Sequence, residues 1–432
     1  MIADERGKIF MHFTMKYGKG TIDFHLEDSK ILQVVLPPES DAKPCTIVDV
    51  ESALDSPAGT PSLEELLEAK KPKKVVVIVN DITRPTPYDL LLPPVLERFA
   101  RAGISDDLVT LVVATGIHDP HTHEQNLQVY GEEIVRRFRI VSHISDDLDS
   151  LVPVGTLSTG SELRINRQVR DADFVFALGV VMPHYFAGYS GGRKSILPGV
   201  AWKENVERNH SRMVQLMDNL PDLDSNPVNL EMIEAAKMVG VDMILNVVVN
   251  ESKEIVKVVA GDVVDAWKEA VAVSASLYEV PIQGPADVAI ASACGHPRDI
   301  NVYQAQKALD HADKATRKGG AIILLADCPA GYGEAIFEEW MNAASCPEDI
   351  VERIKVDFMM GGHKAFGIAK VAAEKTVYMV TSMDESLVKK LFFVKVPTVQ
   401  EALRRIESEM GSDLRYIVMP EGSLTVPVPA KG

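Results

Sequence analysis

The chain has 432 residues, 46% of them apolar and 25% charged, and carries a net charge of −17. That length calls for two or three domains, each able to bury a core without staples. The acidic balance argues against a nucleic-acid or anionic-membrane partner, whose phosphates select basic surfaces, but leaves room for a small anion in a local basic pocket.

The four cysteines (Cys45, Cys294, Cys328, Cys346) form no C-x-x-C pair. The chain therefore shows neither a zinc ribbon nor a dense disulfide scaffold, and it reads as a protein of the reducing cytoplasm. The opening MIADERGKIF has charges where a signal peptide needs an apolar core. The most apolar stretch, Phe174 to Met182, is too short to span a bilayer.

The first forty residues alternate polar and apolar (GTIDFHLED, ILQVVLP) and read as short strands. A strand-then-helix rhythm follows. KKVVVIVND (73–81), LVTLVVATG (108–116) and ADFVFALGVVMP (172–183) are β-branched apolar runs of the kind buried on both faces of a sheet. Each precedes a helical pattern: LLLPPVLERFARAG, HEQNLQVYGEEIVRRF and KENVERNHSRMVQLMDN. DMILNVVVN (242–250) is a fourth strand, ahead of EIVKVVAGD and a helix near 263–277. VPIQGPAD (280–287), with two prolines and a glycine, breaks the rhythm and marks a domain boundary. A new series runs DVAIASACG, a helix over 303–317, AIILLADC, a helix over 333–345, VYMVTSM, LFFVKV and a helix from Thr398. The tail, RYIVMPEGSLTVPV, reads as a last strand. The expected fold is α/β in two lobes, each a sheet flanked by helices, with the active site in a cleft between them. The first domain is expected over 1–279, joined by the tail 413–432, and the second over 285–412.

The chemistry-bearing residues cluster where strands end. HYFAGYSGGRKSILPG (184–199) looks like a phosphate loop, but Arg193 between Gly192 and Lys194 breaks the G-x-x-x-x-G-K-[ST] spacing. Glycines after a strand can still turn backbone N–H groups toward an anion. The alternative is a tight turn with a surface Arg–Lys pair, which needs only one glycine. DITRPTP (81–87) sets Asp81 and Arg84 on a segment stiffened by prolines, suited to a carboxylate or phosphate or, equally, to a structural turn.

ATGIHDPHTH (114–123) carries His118, His121 and His123. A zinc-dependent hydrolase built on these three is one alternative. The first lies in a loop and the others open a helix, so His118 is read as the functional one, with two solvated companions. His184 closes a strand, and His210 lies on the helix after the glycine loop. In GHPRDINVYQAQKALDHA (295–312), Tyr303 and Lys307 share a helix face, with Gln304 beside them. Composition alone reads Lys307 as a solvated lysine; facing the cleft it would anchor an anion. No G-x-G-x-x-G follows a strand, and a hydrolase nucleophile elbow is not expected.

DITRPTP, ATGIH, PHYFAGYSGGRKSILPG, the Asn-His pair at 209–210 and NVYQAQK together resemble the nickel-pincer-dependent lactate racemase family, in order and over nearly the whole chain. The resemblance implies a racemase or epimerase of a 2-hydroxy acid. It implies that Lys194 is covalently linked to a pyridinium mononucleotide whose sulfur, carbon and sulfur atoms hold nickel, with His210 completing the square plane. His118 and His184 match the two acid/base groups. Arg84, Tyr303, Gln304 and Lys307 match the substrate-binding residues, and Asp81, Ser190, Gly191 and Gly192 the cofactor site. The partners implied are a small 2-hydroxy acid and the enzymes that synthesise the cofactor.

The Cα–H of such an acid is too weakly acidic for an imidazole to remove as a proton. Leaving as hydride while a base takes the hydroxyl proton, it yields a flat 2-keto acid that can be reduced on either face. Inversion then needs a base on each side, hence two histidines. Some lactate-specific members carry a tryptophan in the region around 360–366. This chain reads MGGHKAF there, and His363 and Lys364 point to a larger or more polar 2-hydroxy acid. A non-enzymatic alternative is a nickel- or nucleotide-binding sensor using the same loop.

Overall fold

Each apolar run that the sequence marks as a buried strand takes a place in one of two six-stranded sheets. The computed structural model describes residues 2–3, 8–38, 43–216, 221–250 and 252–430. The chain divides into two units: Ser40–Ser276, and Met1–Glu39 with Leu277–Gly432.

In the first unit the strand order is Ile255–Gly261, Met243–Val249, Phe174–Val180, Val75–Asn80, Val109–Ala114, Arg139–Ser142. The strands are parallel except for Ile255–Gly261 at the edge, which returns antiparallel to Met243–Val249. Phe174–Val180 and Met243–Val249 are buried at every position, because helices cover both faces of such a sheet. Helix Tyr88–Arg101 lays Leu91, Leu92, Val95 and Phe99 against it. The Phe99 ring meets Phe174 and Phe176 edge-on at 6.2 and 6.1 Å. Arg98, on the same helix, is buried and pairs with Glu51, with Asp55 at 2.7 Å and with Glu64 at 2.9 Å. Those carboxylates lie on helices Ile47–Asp55 and Leu63–Lys70, neither of which the sequence reading assigned. The pattern HEQNLQVYGEEIVRRF divides into two helices, His123–Tyr130 and Glu132–Arg137, since Gly131 takes a left-handed φ of +83°.

The second unit's sheet runs Val394–Val396, Thr376–Val380, Thr316–Leu325, Ala286–Ser292, Tyr416–Met419, Ile31–Val34, parallel throughout. Here the structure departs from the division read off the sequence. The tail strand Tyr416–Met419 does not join the first unit; it lies between Ala286–Ser292 and Ile31–Val34. The antiparallel hairpin Ile9–Tyr17 with Gly20–Glu27 packs Phe13, Met15, Phe24 and Leu26 into the same core as Val288, Ile323 and Val418. The alternation along these N-terminal strands leaves one apolar face that must be buried. It does not say which sheet buries it, and most of the covering sheet comes from residues 286–419, far along the chain. The second boundary falls between residues 276 and 277, within the last turn of helix Asp265–Tyr278 and just before the Pro/Gly-rich segment. Among the described residues no helix is long and apolar enough to cross a membrane.

Candidate active site

The strand Phe174–Val180 delivers its carboxyl end into the loop of interest, the usual ligand side of a parallel sheet. Pro183–His184 pairs antiparallel with Gly188–Tyr189, and the chain then enters a short 3-10 turn, Gly192–Ser195. Arg193 is fully buried. Its Nε donates to Asn229 Oδ1 at 2.7 Å, Nη2 to the Ala187 carbonyl at 2.9 Å and Nη1 to the Gly191 carbonyl at 3.2 Å. The guanidinium lies 3.7 Å from the centroid of the Trp267 ring, whose Nε1 donates to the Ser190 carbonyl at 2.8 Å. Arg193 is therefore an internal brace of the loop, not half of a surface pair.

The same packing revises the expected anion cradle. Ser190 N donates to the Met182 carbonyl at 2.8 Å, and Gly192 N to Asn246 Oδ1 at 2.7 Å. These N–H groups are spent inside the protein. The glycines are needed by their neighbours: a Cβ on Gly191 would come within 2.6 Å of Asn246 Oδ1 and of Val181, and one on Gly192 within 2.9 Å of the Trp267 ring. Both have positive φ, +77° and +50°. Gly192→Ala should thus cost at least about 2 kcal/mol of stability, from left-handed strain plus the clash. An unchanged melting temperature would contradict this. Residues 188–192 also spell G-x-S-x-G. Ser190 is nonetheless no nucleophile, because its hydroxyl donates to the Val180 carbonyl at 2.7 Å and accepts Met182 N–H at 2.9 Å.

What the braced loop presents is a group of three polar side chains around one buried ring. His184 meets Phe186 edge-on at 4.6 Å between centroids, His210 meets it at 4.9 Å, and Lys194 Nζ lies 5.8 Å from its centre. His210 owes its place to the preceding residue. Asn209 donates to the Val228 carbonyl at 3.2 Å and to Glu231 Oε2 at 2.8 Å, which fixes the rotation of helix Lys203–Ser211. Burial, then repulsion from Arg193 and Arg84, holds the Lys194 ammonium well below the usual lysine range. Burial, then Lys194, His210, Arg84 and Arg193, likewise holds His184 well below the ordinary histidine value. Burial thus favours the neutral form of both groups. Ala187 N–H approaches His184 Nδ1 at 3.5 Å, the outer limit of a hydrogen bond, and favours the tautomer protonated on Nε2.

The neighbouring strand ends supply a second set. Asp81 is buried, and its Oδ1 accepts Thr83 Oγ1–H at 2.6 Å and Thr83 N–H at 3.2 Å. Its Oδ2 lies 2.6 Å from His118 Nδ1. Burial opposes ionisation of Asp81, but the hydrogen bonds from His118 and Thr83 and the charges of His118 and Arg84 prevail, and the carboxyl sits below its usual range. The carboxylate holds the His118 proton on Nδ1 and leaves Nε2 as an exposed lone pair. Arg84, also exposed, donates to Thr83 Oγ1 at 3.2 Å.

His121 has both ring nitrogens engaged. Nε2 accepts Ile82 N–H at 2.9 Å and Nδ1 lies 3.0 Å from Asn126 Oδ1. It therefore fastens the Arg84 loop to the following helix, and the expectation of a solvated His121 is corrected. His123 begins that helix after the Thr122 cap. Among the described residues no three His, Cys, Asp or Glu side chains are grouped to hold a metal. The three-histidine zinc reading has no geometric support.

In the second unit Asn301 caps helix Val302–Ala315, accepting Gln304 N–H at 2.9 Å. Tyr303 and Lys307 are half-buried on one face and Gln304 is exposed. Lys364 Nζ donates to the Tyr303 carbonyl at 2.5 Å and lies 4.1 Å from its ring centre. His363, expected to make the substrate region more polar, is buried instead, and its Nδ1 accepts Gly361 N–H at 3.1 Å. Burial, then Lys364, pushes it down to about 3. It stabilises the start of helix Gly362–Glu374 as a neutral ring.

A family model described as the lactate racemase N-terminal domain matches residues 17–219, and one described as the lactate racemase C-terminal domain matches 282–427. A lactate racemase of Thermoanaerobacterium thermosaccharolyticum is 33% identical over 418 residues, 94% of this chain and 96% of that protein. The chain belongs to the lactate racemase family. It is accordingly an isomerase. The lactate racemase of Lactiplantibacillus plantarum is 33% identical over 86% of this chain and 89% of its own length. Among solved structures, the lactate racemase apoprotein from T. thermosaccharolyticum superposes with a TM-score of 0.87 at 31% identity, covering 97% of this chain and all of that one. A Thermotoga maritima protein at 20% identity, with a TM-score of 0.64 over 91% of this chain, shares the fold.

Set beside this family, several residues of the candidate site carry no signal in the sequence. Phe186 could have been any core aromatic. Asn229, Asn246 and Trp267, which hold the loop, lie 36 to 77 residues from their partners in it. The Asp81–His118 pair spans 37 residues, and neither motif implies the other.

Proposed function

We propose that this lactate racemase family member racemises or epimerises a 2-hydroxy acid, with Lys194 tethering a nickel-pincer nucleotide and His118 and His184 moving the hydroxyl proton. The observation that carries the reading is the grouping of Lys194, His184 and His210 around Phe186. The donor set fits the group: a lysine whose neutral form is favoured by burial can attack a sulfur-containing acid arm of the nucleotide, and a buried imidazole on His210 is a suitable nickel ligand. When bound, the nucleotide supplies the acceptor that takes a hydride from the substrate Cα and returns it.

The remaining work falls to this chain's side chains. His118 presents a lone pair on Nε2 and takes a hydroxyl proton; His184, neutral at rest, gives one only after it has itself taken up a proton, as an imidazolium. In the reverse direction the roles exchange. The resemblance assigns Arg84, Lys307, Tyr303 and Gln304 to the substrate, and a guanidinium or an ammonium suits its carboxylate. Asp81 acts on His118 as its orienting partner, a role added to the cofactor-site role that the family match suggests. Asp81→Asn should lower kcat at least about tenfold with little change in KM, because the amide no longer selects the Nδ1–H tautomer. Since Asp81 is ionised well below neutrality, that loss should be constant from about pH 5 upward. A wild-type kcat in this variant would remove Asp81 from the mechanism.

The four cysteines, all free, suit a reducing cytoplasm where cofactor-synthesis enzymes would load the protein. The reading is tested by producing the protein together with those enzymes and following a panel of single-enantiomer 2-hydroxy acids by chiral chromatography. Inversion of at least one is expected. Loaded protein that inverts none would leave the sensor alternative in its place.

A further inference from the structure

We propose that the solvent face of the N-terminal hairpin binds a divalent transition-metal ion, with His12 and His25 as its two protein ligands. The inference is independent of the racemase reading above.

The site follows from the register of two strands. Ile9–Tyr17 and Gly20–Glu27 run antiparallel and are joined by the two-residue loop Gly18–Lys19, with Tyr17 opposite Gly20. Residues flanking such a loop form a hydrogen-bonded pair, and bonded and non-bonded pairs alternate from there along the ladder. His12 stands opposite His25, five residues before Tyr17, and so falls on a pair without direct backbone hydrogen bonds. The Cα atoms of such a pair lie about 4.5 Å apart, which brings its side chains closest. Here the two imidazole centroids are 4.9 Å apart, with 33° between the ring planes. Alternation assigns the faces. Phe13, Met15, Phe24 and Leu26 enter the core, and His12, Thr14, Asp23 and His25 stay exposed on the other side.

The neighbouring groups suit a cation. Asp23 and Glu27 lie two residues to either side of His25, on the same face of its strand. Asp23 Oδ1 lies 3.1 Å from His12 Nε2 and accepts Thr14 Oγ1–H at 2.5 Å. The lysines towards the two ends of the first strand are occupied, Lys8 by Glu27 at 2.8 Å and Lys16 by Glu421 at 3.3 Å. Asp23 engages His12 rather than standing as a third ligand, so the site has two imidazoles and water completes the sphere. Imidazole nitrogens take zinc at about 2.0–2.1 Å, and exposed rings reach that separation by side-chain rotation. Two imidazoles directly opposite repel when both are protonated, whereas one ion joins them when both are neutral. Imidazole suits zinc, copper and nickel, while magnesium and calcium take oxygen ligands. An ion held here pins together two strands whose other face is core, and so stabilises the whole fold.

The test uses the untagged full chain, titrated calorimetrically with zinc(II), nickel(II) and magnesium(II) in turn. The proteins compared are the wild type, His12→Ala, His25→Ala and the double variant, with circular dichroism to show that each is folded. The wild type should bind one more equivalent of zinc, and of nickel, than the double variant. Either single substitution should weaken that equivalent at least about tenfold, the lower end even for a residue that merely supports a metal ligand. Metal held at other histidines, His210 included, contributes alike to all four proteins and cancels. Zinc should also raise the melting temperature of the wild type more than that of the double variant. Zinc and nickel binding unchanged in the double variant, or magnesium bound as tightly as zinc to the equivalent that the double variant loses, overturns the inference.

Discussion

His184→Ala is expected to lower racemisation at least about a hundredfold in both directions, the lower end of what general acid–base catalysis contributes. The symmetry is the informative part. The group that gives a proton for one enantiomer takes it for the other, so a single loss stops both rates. His118→Ala should behave alike, whereas loss of a purely binding residue would chiefly raise KM. The measurement is the initial rate from each pure enantiomer, with circular dichroism to show that the variant is folded. Full activity in either variant would end the two-base mechanism.

A second readout concerns stability. The fold holds His184 neutral, its pKa well below the ordinary 6.5. Below pH 6.5 the unfolded chain therefore binds a proton that the folded one refuses, and stability from this group is complete above that pH and falls as pH drops below it. His143, lowered to about 4, and His363, lowered to about 3, act in the same sense, burial being the first cause in each. The wild type should lose melting temperature on going from pH 7 to pH 5, and His184→Ala should lose less.

Lys194→Ala should abolish both the covalent cofactor adduct and all activity. Intact-mass spectrometry of protein made with the cofactor-synthesis enzymes reads the first directly. The case for this residue is physical as well as familial. An amine attacks only when unprotonated, and burial together with Arg193 and Arg84 lowers the ammonium form of Lys194. Lys203, exposed on the next helix, has no such surroundings. In the unloaded protein Lys194 should accordingly react with an acylating reagent at a lower pH than the surface lysines do, as peptide mapping would show. An adduct that survives Lys194→Ala, or one located on another lysine, would refute the assignment.

Sequence and tertiary structure divide the responsibility for this site in a definite way. The runs VVVIVN, VTLVVA, FVFALGV and MILNVVV could be read as buried strands because side-chain periodicity and β-branching are local properties. The placement of Asp81, His118 and His184 just past strand ends follows from the same runs, and so does their position on the ligand side of a parallel sheet. What the residues do there is decided by partners distant in the chain. Arg193 looks like a surface cation in GGRKS and becomes a buried brace because Asn229 and Trp267 desolvate and satisfy it. Ser190 and Gly192 look like a phosphate cradle, but Met182 and Asn246 take their N–H groups. His121 and His363 look like polar site residues, but Ile82 and Gly361 turn them into structural acceptors. The N-terminal hairpin shows its apolar face plainly, but only the paired sheet reveals that residues 286–419 cover it. Composition and period determine which segments must be buried; long-range pairing determines what buries them, and so which charges keep a free valence for a ligand.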